Sequence, residues 1–462
     1  MSTEAPAGIP VRPGPPPLPV TRHAAWWAWP LIVLCLLPFE WIAGRFDRGP
    51  AGAAPPPVET GRADLALLKL QGQVVIASSS LGSTASREAL EDLSGLIQGD
   101  EALVAFALLE AFVEPGSPGA LKTLERVSDA APAELVDLAG RAVRDGIGEE
   151  DRARLGRSLG WFAALARGPG LAPPPEEASI RSRSGLVLLT MGMVFTAVVF
   201  GLLCGAVLLI LHLRRVGSGA PVNAFRPETR NAGVFLECFA LYLGIMVGGA
   251  VAGIWLGRAA SIGGYAAAVL VPLVWPLARG LRWKEFRLEA GLHRGKGWMR
   301  EMAAGFVGYL GVLAIASIGV FFTLVLTVVA GWAGGGGAGS EGPNAPGPEV
   351  HPIVGWLYEG DFWTRLACFA LAAGFAPLFE ELFFRGALQR YLRGRFRFLP
   401  SALLGALIFA ALHPQGFFAI PALAGIAVGF SLLREWRDSL IAPMTAHAIN
   451  NGCLVGMLWW VL

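Results

Sequence analysis

Two hydrophobic rhythms divide the chain. Across residues 44–184, charged residues alternate with Leu and Ala at helical spacing, as in Ala63-Asp64-Leu65-Ala66-Leu67-Leu68-Lys69-Leu70 and Ala133-Glu134-Leu135-Val136-Asp137-Leu138-Ala139. Apolar positions three and four apart give a helix one burying face. Gly116, Pro118 and Gly146 interrupt the pattern, so it predicts several short amphipathic helices, stacked as hairpins. No fixed-period repeat is present. From Leu186 onward the rhythm gives way to apolar runs near 186–213, 231–256, 259–278, 302–331, 362–384, 399–413, 416–433 and 440–462. A membrane-crossing helix needs about 20 such residues. The runs at 399–413 and 416–433 are short, which predicts tilted or re-entrant geometry there. Another run, 24–43, is also long enough to cross. Ala51-Gly52-Ala53 resembles a signal-peptide cleavage site but lies well beyond that run, so the expectation is an uncleaved signal anchor. Residues 1–24 are rich in proline, cannot build a core and are expected to be disordered.

The fold class expected from this pattern is all-α: a polytopic transmembrane helical bundle with an inserted extracytoplasmic α-helical domain. The expected divisions are a tail at 1–24, the anchor at 25–43, the helical domain at 44–184, membrane helices at 185–298 and a second group of membrane helices at 299–462. Orientation follows from Lys and Arg in the short loops. Arg214, Arg215, Arg226 and Arg230 form one cluster; Arg279, Arg282, Lys284, Arg287, Arg294, Lys296 and Arg300 form the next. Arg390, Arg393, Arg395 and Arg397 follow, then Arg434 and Arg437. With nine crossings all four clusters fall on the cytosolic side. The loop 332–361 has acidic residues but no Lys or Arg, and it falls outside together with 44–184.

Composition reinforces the membrane reading. Of the residues, 54% are hydrophobic and only 16% charged, well below the roughly one quarter charged that is usual in soluble domains. A net charge of +2 gives no reason to expect a nucleic-acid partner. The five cysteines, Cys35, Cys204, Cys238, Cys368 and Cys453, all lie in apolar runs and form no CxxC pair. They read as small buried hydrophobes, neither a disulfide framework nor a cysteine-built zinc site. Glycines recur four apart at Gly244/Gly248, Gly249/Gly253/Gly257 and Gly425/Gly429, a spacing that lets helix backbones approach closely.

Ionisable side chains inside apolar helices are costly, and this makes them candidate functional groups. Phe379-Glu380-Glu381-Leu382-Phe383-Phe384-Arg385 places two carboxylates and a guanidinium in one such run. Glu381 and Arg385 stand at i,i+4 with the acid first, the favourable order for an ion pair. Glu380, about 100° round the helix, is left without a cation of its own and suits a general base. The bland alternative is a snorkelling juxtamembrane cluster, since Arg390 follows closely. Two further runs carry polar groups. Phe409-Ala410-Ala411-Leu412-His413 ends at Pro414, which disfavours helix at His413. In His447-Ala448-Ile449-Asn450-Asn451, His447 and Asn451 share a helix face. Counting from Arg390, Arg437 and Ser401 at about 1.5 Å per residue puts Glu380, His447 and His413 at one depth, about 15–18 Å from the cytosolic anchors.

Glu380-Glu381-x-x-x-Arg385, Phe409-x-x-x-His413 and His447-x-x-x-Asn451, in that order, resemble the three motifs of the CPBP family, over roughly residues 300–462. That family includes type II CAAX prenyl endopeptidases, bacteriocin-processing proteins and abortive-infection-type membrane proteins. The resemblance implies an intramembrane endopeptidase with a site open to the cytosolic side. It implies that Glu380 and His413 activate a water, that His447 and Asn451 steady the oxyanion, and that Glu381 and Arg385 shape the site. It also implies a membrane-associated protein or peptide as substrate; a multi-pass cell-membrane location is expected, and no cofactor is certain. A zinc version stays open, with Glu380, His413 and His447 as ligands and one open position, although no HExxH helix is present. Residues 1–230 match nothing in the family's core. The domain 44–184 is an addition that could bind an extracytoplasmic partner, and the competing reading is a non-catalytic scaffold or sensor acting through it. A proton-relaying transporter is a further alternative, but no internal repeat of spans supports it.

Overall fold

The computed structural model describes residues 25–36, 58–80, 82–95, 97, 99–218, 224–225, 231–333, 353–413 and 415–462. The expected disorder of 1–24, the end of the first apolar run and most of the loop 332–361 lie outside these residues. Among the described residues every regular element is a helix, in agreement with the all-α expectation.

After α1 (Ala28–Leu36) come six helices with a core of their own. They are α2 (Val58–Ser78), α3 (Ser83–Ser94), α4 (Asp100–Val113), α5 (Gly119–Glu125), α6 (Ala133–Arg144) and α7 (Glu149–Leu159). Helix α4 is apolar all round and is buried from Ala102 to Leu109, as the central helix of a small bundle must be. Its neighbours are one-sided. In α6, Leu135, Leu138, Ala139 and Ala142 face inward while the charged residues face out. Helix α7 carries Glu149, Glu150 and Asp151 in its first turn and Arg157 in its last, matching the helix dipole at both ends. Short helices thus fill this stretch, one-sided as the pattern predicts in α6 but apolar all round in α4.

The remainder is the bundle: α8 (Glu177–Gly217), α9 (Ala232–Leu256), α10 (Arg258–Ala278), α11 (Trp283–Ala290), α12 (Trp298–Ala333), α13 (Ile353–Glu359), α14 (Phe362–Arg393), α15 (Phe398–Ala411), α16 (Ile420–Arg437) and α17 (Ile441–Val461). Six of the described helices are long and apolar enough to cross a membrane: α8, α9, α10, α12, α14, and α16 with the short turn before it. The protein is a multi-pass membrane protein. The sequence led to an expectation of nine crossings, and the difference lies in three elements. Only 25–36 of the first run is described. Helix α15 has 14 residues. Helix α17 has 21 but interrupts its apolar face with His447, Asn450 and Asn451. The stretch expected as loop before α14 also ends in a helix, α13.

Helix α8 has 41 residues and is about 60 Å long, twice the ~30 Å hydrocarbon thickness. Its first turns pack on the small bundle through Ile180, so one unbroken helix runs through the expected 184/185 boundary. A second joint lies between α2, α13 and the ends of α14 and α17. There Ala66 packs with Val354, Leu357, Cys368, Val455 and Leu462. Lys69 crosses it: its Nζ donates to the main-chain oxygen of Leu462 at 2.6 Å and lies 5.9 Å from the Trp161 ring and 5.8 Å from that of Tyr358.

The other end of the bundle is charged. Arg279 pairs with Glu237 at 2.9 Å, Arg393 with Glu435 at 2.7 Å, Arg434 with Asp438 at 2.8 Å and Arg437 with Glu301 at 2.7 Å, and Arg390 meets Glu289. These pairs draw three of the four basic clusters to one end. Between the ends, small residues set the helix spacing as expected. A Cβ on Gly249 would stand 2.6 Å from Gly264 of α10, and one on Gly429 would stand 2.8 Å from Val312 of α12. Three cysteines, Cys35, Cys238 and Cys368, are buried as expected; against that expectation Cys204 is only partly buried and Cys453 is exposed on α17.

Candidate active site

The site forms where α14, α16 and α17 meet. Helix α14 is not a uniform α-helix. Its ladder widens into π turns at Leu371–Phe375 and Leu382–Leu388, on either side of Ala376–Glu381. Pro377 supplies a physical reason for the first. Proline has no N–H to give and its ring crowds the preceding turn. In the widened register the N–H of Ala376 reaches back to the carbonyl of Leu371. The next donor in that register would be residue 377, which has none. The carbonyl of Ala372 is thereby left for a side chain, and Asn451 Nδ2 of α17 donates to it at 2.9 Å. Single π turns in helices are often found at functional sites.

Glu381 is fully buried, and one of its oxygens, Oε1, serves two partners. Arg385 Nη1 donates to it at 2.8 Å, the i,i+4 pair expected from the sequence, and His447 Nδ1 lies 2.9 Å away. Arg385 is also buried, so the snorkelling alternative fails for this pair. The guanidinium is held further by the carbonyl of Ala427, 2.8 Å from Nη2, and by the Phe409 and Phe430 rings at 5.1 and 5.3 Å. His447 stacks on Phe430 with 4.7 Å between ring centroids.

Glu380 differs from its neighbour. Its side chain is 23% exposed, its Oε2 has no hydrogen-bond partner among the described residues, and it faces His447 Nε2 at 3.7 Å. That distance is too long for a hydrogen bond. The sequence left Glu380 without a cation of its own; in the structure its Oε2 makes no hydrogen bond among the described residues, and the His447 imidazole beside it is a cation only when doubly protonated.

His413 stands just past the end of α15, in keeping with the break expected there; Pro414 lies outside the described residues. Its Nδ1 is 2.7 Å from the Phe409 carbonyl oxygen. A carbonyl only accepts, so Nδ1 carries the proton and Nε2 presents the lone pair. The Phe409 ring bridges the two histidines, with centroids 4.3 Å from that of His413 and 6.1 Å from that of His447. The structure therefore joins Glu380, Glu381, Arg385 and His447 directly, places Asn451 one turn further along α17, and attaches His413 through Phe409. Among the described residues no group of three or more His, Cys, Asp or Glu is arranged to hold a metal ion.

The sequence did not point to Phe430 or the Ala427 carbonyl, both on α16, which carries no motif. Nor did it point to the π turns, although Pro377 inside an apolar run was a visible sign of the first.

Residues 362–453, which hold all six of these groups, match the family model Type II CAAX prenyl endopeptidase Rce1-like. The match supports a CPBP-family intramembrane protease of the CAAX type in general terms, over a shorter stretch than the resemblance drawn from residue 300. No curated protein and no solved structure matches the chain.

Proposed function

We propose that the chain is an intramembrane endopeptidase that hydrolyses peptide bonds of membrane-associated proteins in the cell membrane, with Glu380 as general base. The observation that carries this reading is the Glu380 carboxylate, half-buried inside the Rce1-like segment with an oxygen free of hydrogen bonds and a histidine 3.7 Å away. A carboxylate with a free lone pair can take a proton from water, and His413 Nε2 offers a second acceptor to orient that water. The hydroxide adds to the scissile carbonyl carbon and its electrons move to the carbonyl oxygen. Collapse then breaks the C–N bond, and the proton held by Glu380 passes to the leaving amine.

The developing oxyanion needs fixed donors. Asn451 Nδ2 has one hydrogen committed to Ala372 and one left over. His447 gives Nδ1–H to Glu381, so it can donate to an oxyanion only with a second proton on Nε2. The Glu381 carboxylate compensates the charge of that form. Arg385 holds Glu381 in place from the other side.

The family's description supports a substrate class: a protein ending in a prenylated Cys-a-a-X sequence. Purified full-length protein in detergent, incubated with such a peptide and its unprenylated counterpart, tests this by mass spectrometry. A cut specific to the prenylated peptide supports the assignment. Intact peptide after prolonged incubation with folded protein contradicts it.

A further inference from the structure

Asn451 is the end of a longer chain of donors. Tyr309 of α12 gives its hydroxyl hydrogen to Asn450 Oδ1 at 3.2 Å. Asn450 Nδ2 donates to Asn451 Oδ1 at 3.1 Å, and Asn451 Nδ2 donates to the Ala372 carbonyl at 2.9 Å. The direction of the chain is fixed at its far end. A carbonyl can only accept, so Asn451 must turn its NH2 toward Ala372 and its oxygen toward Asn450. Asn450 must then turn its own oxygen toward Tyr309, and a phenol can supply that hydrogen. Reversing either amide would set two acceptors or two donors against each other.

Helix packing makes the first link. A Cβ on Gly305, one turn before Tyr309, would stand 2.5 Å from the Ala442 carbonyl oxygen and 2.7 Å from Thr445 Cβ. Glycine there lets α12 approach α17 closely enough for a tyrosine to reach Asn450.

We infer that Tyr309, acting through Asn450, is a positioning residue that aims and polarises the Asn451 amide. This rests on the oxyanion role given to Asn451 above. Donation into the Asn451 carbonyl draws electron density from its nitrogen and strengthens the remaining N–H as a donor. A donor aimed at charge that develops only in the transition state affects turnover more than substrate binding.

The test compares wild type, Tyr309→Phe, Asn451→Ala and the double variant with the prenylated peptide, measuring kcat, KM and detergent melting temperature. Asn451→Ala is expected to lower kcat by about 100-fold or more, as for loss of an oxyanion donor. Tyr309→Phe is expected to lower kcat by about tenfold, a fraction of that effect, with KM and melting little changed. In the double variant the tyrosine change should add nothing, because the group it aims is gone. Full kcat in Tyr309→Phe alongside a crippled Asn451→Ala overturns the relay and leaves the oxyanion assignment standing. Multiplying losses in the double variant also overturn the relay, since Tyr309 would then act independently. Full kcat in Asn451→Ala overturns the oxyanion assignment itself.

Discussion

His447 Nδ1 lies 2.9 Å from Glu381 Oε1, the same oxygen that accepts from Arg385 Nη1 at 2.8 Å. One buried carboxylate oxygen thus holds a cation on its own helix and an imidazole on another. It fixes the tautomer of His447 and turns Nε2 toward Glu380. Two adjacent glutamates, identical in chemistry, sit in different environments: Glu381 is fully buried with Oε1 shared by Arg385 and His447, while Glu380 is partly exposed and has Oε2 3.7 Å from His447 Nε2.

Glu381→Gln should therefore act first on stability. It leaves Arg385 buried without its anion, a loss typically costing about 3–5 kcal/mol. It also weakens the tie to His447. The expected result is a clear fall in detergent melting temperature. Unchanged melting together with abolished chemistry would mean that the roles of Glu380 and Glu381 have to be exchanged.

The six groups at the site were legible because their cost is legible. Charged residues inside apolar runs at Glu380, Glu381 and Arg385 demand partners, and i,i+4 spacing named one of them. Depth counting placed His447 near Glu380. What stayed hidden depends on contacts between distant helices. Phe430 and Ala427 are ordinary apolar residues until α16 packs against α14, and Tyr309 joins Asn450 across 141 positions of sequence. The described helices apolar enough to cross number six against the nine crossings expected, for a related reason. Polar groups gathered inside the bundle dilute the apolarity of α17, and the short α15 has only 14 residues.

The small helical bundle and the basic end of the molecule should lie on opposite sides of the membrane. Lys284 in α11 and Glu88 in α3 are both exposed, so cysteine at either position can react with a membrane-impermeant maleimide. In intact cells Glu88→Cys should be labelled and Lys284→Cys should not, with the reverse in inside-out vesicles. Labelling of both from the same side would refute this topology.

Lys69 gives the joint between the two bundles a dependence on pH. Burial pushes its ammonium down to about 8, and Arg183 and Arg365 add repulsion. In the unfolded chain the lysine titrates near 10.4. Between about 8 and about 10.4 the unfolded state binds more protons, so stability should rise with pH across that window and be lost as pH falls through about 8. The melting temperature of wild type relative to Lys69→Met should climb over the same range. A difference that stays flat would show that Lys69 is not held in this buried state.

The most direct test of the account is the turnover of Glu380→Gln. Glutamine keeps the shape of the side chain and removes its ability to accept a proton. Glu380 Oε2 makes no hydrogen bond among the described residues, so folding should survive and the melting temperature should stay close to wild type. Cleavage of the prenylated peptide should fall by about 10²–10⁴-fold, the usual scale of general-base catalysis. A folded Glu380→Gln protein that cleaves at the wild-type rate would contradict the assignment of Glu380 as the base.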